Sequence, residues 1–122
     1  MKLEAQVVSL ELAKKLNELG TKQDCLFVWW KDIDSGQWSI AEKTILAQPF
    51  VTEFYLAFTV AELGELLPGE RGTFRDDQNG KWKIFIHDVI TGSVKKVIAE
   101  KTEANARGQM LIYLLENKLI TL

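Results

Sequence analysis

Cysteine and histidine each occur once in this chain of 122 residues, proline twice, and no apolar run is long. Each shortage removes a class of protein. A lone Cys25 cannot close an internal disulfide, and small secreted domains depend on several, so the chain is expected in the cytoplasm. One histidine and one cysteine do not make the usual zinc set, and no metal or cofactor site is expected. The longest apolar stretches, FYLAF at 54–58 and MLIYLL at 110–115, fall far short of the ~20 residues that cross a bilayer. Glu4, Gln6 and Glu11 interrupt what would be the apolar core of an export signal, and none is expected. An excess of one charge is missing too. Lys and Arg number 15 against 17 Asp and Glu, a net charge of -2, which argues against a dedicated binder of nucleic acid or anionic membrane. No Walker motif, dinucleotide fingerprint or nucleophile elbow occurs, since Gly64, Gly69 and Gly72 lack the lysine and the strand-loop-helix setting that would cradle phosphate.

What the chain does have is material for a core. Apolar residues make up 47%, enough to fill the interior of one domain spanning residues 1–122 without disulfides or metals. Three segments carry helix start and stop signals. Ser9 can cap a first helix over 9–19, with Leu12, Leu16 and Leu19 at helical spacing and Gly20 as its left-handed stop. Thr59 with Glu62 makes a capping box for a second helix over 60–67, Phe58 can staple against Leu63, and Pro68-Gly69 ends it. Thr102 and Glu103 begin the third and longest, which runs through TEANARGQMLIYLLENKL with Ala104, Gly108, Leu111, Ile112, Leu115 and Leu119 on one face. Gly108 costs about 1 kcal/mol in a helix relative to Ala, so its place on that face predicts a close approach to a neighbouring backbone.

Between the first two helices CLFVWWKD reads as a strand, Asp34-Ser35-Gly36 as a turn and QWSI as the antiparallel return, with PFVTEFYLAF as a further strand. After the second helix Asn79-Gly80 is a strong hairpin signal joining TFRDD to KWKIFIHD, and Thr91-Gly92 leads into SVKKVIAE. The order helix, strands, helix, strands, helix predicts an α+β domain with a mostly antiparallel sheet and three helices. Trp82, Ile84 and Ile86 alternate with Lys81, Lys83, Phe85 and His87, as in a strand covered on one face. The strand holding Trp29 and Trp30 is apolar on both faces and is expected to be central or covered twice. Leu16, Leu63, Trp82, Ile84, Leu111 and Leu115 are expected to share the core. SGQWSI and NGKWKI echo each other, which fits either a duplication or two ordinary hairpins with a core tryptophan.

Groups able to do chemistry are sparse, and no catalytic residue is expected. His87 and Asp88 are neighbours on a strand end, where adjacent side chains point to opposite faces and cannot orient one another. Cys25 begins an apolar strand and reads as an inert small hydrophobe. Asp32 with Asp34 and Asp76 with Asp77 flank turns without the rest of an oxygen-ligand loop. Trp29, Trp30, Trp38 and Trp82 near Lys31, Lys81 and Lys83 would suit stacking on single-stranded nucleic acid, against the simpler alternative that these rings are core.

The blocks SLELAKKLNELGTKQDCLFVWW at 9–30, FYLAFTVAELGELLP at 54–68 and TEANARGQMLIYLLENKLI at 102–120 resemble a family of small, uncharacterised prophage-associated bacterial proteins of gut anaerobes. The resemblance covers helices and their caps, implies a mobile-element setting, and brings no active site, ligand or cofactor. Asn105 and Gly108 depart from that pattern, which has Asp and Ala there. The expectation is a non-enzymatic interaction or accessory protein of a phage or mobile element. The alternatives are a weak single-strand nucleic-acid module and an enzyme using dispersed carboxylates. Ala106, Met110 and Tyr113 lie opposite the leucine stripe of the third helix, among Gln109, Glu116 and Asn117. That side is expected either to meet a protein partner or second copy, or to pack within the same domain.

Overall fold

Helix N-termini leave backbone N–H groups without acceptors, and this chain supplies hydroxyls at three of them. The computed structural model describes residues 2–68, 71–76, 79–87 and 91–121, with the backbone alone at 71–74 and 87. A single turn, α1 (Leu3–Gln6), has no cap of its own and was not foreseen. Ser9 Oγ accepts from Leu12 N–H to start α2 (Leu10–Glu18). Thr59 and Glu62 form the full capping box of α3 (Val60–Leu66), with Phe58 and Leu63 both buried at the staple positions. Thr102 Oγ accepts from Asn105 N–H to start α4 (Glu103–Glu116). The side chain of Asn105 does a second job, its Oδ1 accepting from Ser9 N–H at 2.8 Å and joining the start of α4 to the start of α2.

Two of the helices, α2 and α4, end by a common device. Gly20 at φ 85° lets its N–H reach Asn17 O while Thr21 N–H reaches Leu16 O. Lys118 at φ 56° does the same for α4, its N–H reaching Leu115 O and that of Leu119 reaching Leu114 O. The third helix therefore stops at Glu116 rather than continuing towards Leu119, closed by a non-glycine residue that gives no sequence signal.

The expected strands form, and each lies antiparallel to its neighbours. β1 (Phe27–Asp32), β2 (Trp38–Glu42) and β3 (Val51–Ala57) make one three-stranded sheet in the order β2-β1-β3. β4 (Arg71–Asp76), β5 (Lys81–His87) and β6 (Val94–Glu100) make another in the order β4-β5-β6. The class is α+β as expected, but the strands divide between two sheets instead of joining one. β1 is central, and a 3₁₀ turn at Lys43–Ala47 packs beside β2 and β3. The echo between the two hairpins does not extend to topology. β3 returns beside the first strand of its hairpin and β6 beside the second, so Trp38 lies on an edge strand and Trp82 on a central one.

α4 is the hub: it packs on α1, α2, α3, β5 and β6. Leu16, Leu63, Ile84 and Leu111 are fully buried in one cluster that also takes in Phe58 and Met110, while Trp82 and Leu115 pack at its margin. Gly108 does mark a close approach, but to a side chain and not a backbone. A Cβ there would lie 2.7 Å from Val8 Cγ1. Val8 is held from both sides, its N–H donating to Phe58 O and its carbonyl accepting from Trp29 Nε1.

Candidate protein-interaction surface

The reactive residue types do not converge. Cys25 is buried at the edge of a hollow of about 440 Å³ lined also by Asp24, Leu26, Glu42 and Lys43, and its thiol donates to Phe27 O. Burial, and after it the Glu62 carboxylate, pushes the thiol pKa up, so the sulfur stays protonated and weakly nucleophilic. At the rim, Asp24 and Lys43 pair at 2.9 Å, which lowers the carboxyl pKa and raises that of the ammonium. Asp32 Oδ1 accepts from the N–H groups of Asp34 and Ser35 and so shapes the turn. Asp76 pairs with Lys83 at 2.9 Å. Asp77, Asp88 and the side chain of His87 lie outside the described residues. Among the described residues no group of three or more His, Cys, Asp or Glu could hold a metal ion.

The tryptophans are dispersed as well. Trp29 donates to Val8 O, Trp30 packs on Phe50, and Trp38 lies beside Tyr55 under the Lys14 ammonium. Trp82 sits on the other sheet. Lys31 and Lys83 are engaged with Glu53 and Asp76. No shared aromatic platform arises from these four rings. A further concavity near the starts of α3 and α4 holds Arg107, which donates to Val60 O and to Glu103 and clasps the two helices together.

Of the three residues expected on the outer side of the third helix, two are inside. Ala106 and Met110 are 0% exposed. The correction follows from α1, α2 and α3, which cover the side of α4 opposite the sheet. For these two residues packing within the chain is the outcome, and they offer no surface to a partner.

Tyr113 is different, being only partly buried. It stands with Gln109, Ile112 and Glu116, an i, i+3, i+4, i+7 set that shares one face of α4. These four and Lys96 and Ile98 of β6 line a hollow of about 250 Å³. Ile98 is the register partner of Ile84 and Lys96 that of Ile86, so both lie on the helix side of the sheet. The Lys96 ammonium sits 5.0 Å from the centroid of the Tyr113 ring, within reach of a cation–π attraction. Glu116 is drawn towards Lys15 at 3.4 Å.

The hollow borders an uncovered sheet edge. β6 pairs with β5 alone, and among the described residues no other backbone bonds to it. Val94 and Val97 on this strand are each 52% exposed. An aromatic anchor, aliphatic neighbours of which Ile112 is buried and Ile98 half-buried, mixed charge at the rim and a strand edge with free backbone groups are what a protein partner can use. Lys96 and Ile98 were missed as site residues. Their spacing of two within SVKKVIAE was the available signal, but nothing local said that the strand would lie at an edge beside α4.

Among the described residues no helix is long and apolar enough to cross a membrane. No family model, curated protein or solved structure matches the chain.

Proposed function

We propose that the protein is a small non-enzymatic interaction protein that meets its partner on the flank formed by β6 and α4. The observation that carries this reading is the Tyr113 hollow beside an open strand edge. A partner strand there would satisfy free backbone groups while a side chain fills the hollow, so backbone pairing supplies affinity and the Tyr113–Lys96 pair supplies selection. The dispersal of Cys25, the carboxylates and the tryptophans supports binding over catalysis. A cytoplasmic setting is supported by the single cysteine, and a role as accessory protein of a phage or mobile element by the resemblance described above.

The test is a photo-cross-linking amino acid placed at Gln109 in cells that carry the protein, with the same group at exposed Glu18 as control. A discrete adduct from position 109 is expected, absent at position 18 and lost when Tyr113→Glu is added. Equal labelling at both positions, or an adduct indifferent to Tyr113→Glu, would contradict the proposal.

A further inference from the structure

The character of the flank narrows the partner. Its charges are mixed and spatially ordered: Lys95 and Lys96 lie towards the start of β6, Glu100 at its end, and Glu116 on α4 beside the hollow. A partner strand of one sign would satisfy half of these and oppose the others. A strand that runs antiparallel and carries the same sequence can set Lys96 against Glu100 twice over, because a two-fold axis reverses the order of the charges.

Resting on the reading of this flank as an interaction surface, we propose that its occupant is a second copy of this chain. β6 adds antiparallel to β6 of that copy about a two-fold axis at Ile98, turning two three-stranded sheets into one of six strands.

The register follows from side-chain alternation. In an antiparallel pair, residues directly opposite share a face of the sheet, so a strand meeting its own copy must be centred on a residue. Centred on Ile98, the pairing sets Lys96 opposite Glu100 of the partner subunit, and the reciprocal pair forms on the other side of the axis. Ile98 meets its equivalent between the two Tyr113 hollows, and exposed Val97 meets Ala99 of the partner subunit on the outer face. The Lys96 ammonium keeps donors free while it lies on the Tyr113 ring. Lys95 and Lys101 would face each other only at the ends of the pairing. There Lys95 falls where β6 carries an extra residue against β5, and Lys101 lies beyond the strand, so both can turn to solvent.

Reversing charges tests this directly on the full chain. Gel filtration with light scattering over a dilution series is expected to give twice the chain mass of 13.9 kDa for the unaltered protein at high concentration. Lys96→Glu and Glu100→Lys should each weaken the dimer at least tenfold. The double variant Lys96→Glu/Glu100→Lys should restore it, an outcome that mere damage to folding cannot produce. An unaltered protein that stays monomeric to millimolar concentration would overturn the inference without needing any variant, as would a dimer that ignores both reversals. A cross-linked adduct from Gln109 to a different protein, with the isolated chain monomeric, would remove the second copy as occupant and leave the interaction reading standing. No adduct together with a monomeric chain would remove both.

Discussion

Gly108 sets two energies against each other, and the structure decides between them. In an exposed helix, Gly→Ala stabilises by about 1 kcal/mol through backbone entropy. At position 108 the added Cβ would fall 2.7 Å from Val8 Cγ1 and 3.5 Å from Leu12 Cδ1. Real carbon atoms do not approach to the first of these distances, so Val8 or α4 must move. Val8 cannot move cheaply, because it is 0% exposed and both its backbone groups are hydrogen-bonded, one to Phe58 and one to the Trp29 indole. Overpacking of this kind costs roughly 1–3 kcal/mol. Subtracting the propensity gain leaves Gly108→Ala destabilised by about 1 kcal/mol. The decisive comparison is a double-mutant cycle in urea. Val8→Ala alone loses roughly 1.5–3 kcal/mol of buried side chain, but in that background Gly108→Ala should become neutral or stabilising, a coupling of at least about 1 kcal/mol. Gly108→Ala that raises stability in the unaltered chain, or two effects that simply add, would refute the steric explanation.

Three further outcomes follow from the same contacts. Glu62 accepts from Thr59 N–H to complete the α3 cap and from Leu26 N–H to hold the start of β1. Glu62→Ala should therefore cost roughly 1–2 kcal/mol in a denaturant melt, with Glu62→Gln recovering part of it. A loss too small to measure would show that these bonds are replaced by water without penalty. Met110→Ala should cost about 2–5 kcal/mol because the side chain is enclosed, whereas Tyr113→Glu should leave the melt nearly unchanged. The reverse order would misplace the interior side of α4. The Cys25 thiol, raised by burial and by Glu62, keeps its proton longer in the folded than in the unfolded chain. Stability should then fall as pH rises past the ordinary thiol range, about 8.5, and Cys25→Ala should flatten that slope. An unchanged slope in Cys25→Ala would assign it to other groups.

Local chemistry was legible in the residues and non-local placement was not. The Ser9, Thr59 and Thr102 caps, the Gly20 stop and the Asn79-Gly80 turn are contacts between residues a few positions apart, so residue type and spacing suffice to read them. Strand identities followed from alternation for the same reason. The division into two sheets depends on which strand β3 and β6 each choose, and both choices lie between segments with equally good patterns. For Ala106 and Met110, opposite the leucine stripe of the third helix, spacing alone leaves a partner and packing within the domain equally open. α4 lies between the second sheet and three other helices, so Ala104, Ala106, Gly108, Met110 and Leu111 are all enclosed around its circumference. Small residues at 104, 106 and 108 are what such a crowded helix requires, and they carry no directional signal in the sequence. Tyr113 is partly buried, and its neighbours Lys96 and Ile98 come from a strand whose docking beside α4 is a tertiary event.

Amide hydrogen exchange along β6, followed as protein concentration is raised, bears most directly on the proposal that this edge receives a second strand. In the folded monomer the outward N–H groups of Lys95 to Ala99 have no protein acceptor among the described residues. They should exchange quickly in dilute solution, become protected as concentration rises, and lose that protection in Lys96→Glu, while the amides of edge strand β2 stay unchanged as an internal reference. Exchange on β6 that is independent of concentration and indistinguishable from that of β2 would contradict the pairing of β6 with a second copy.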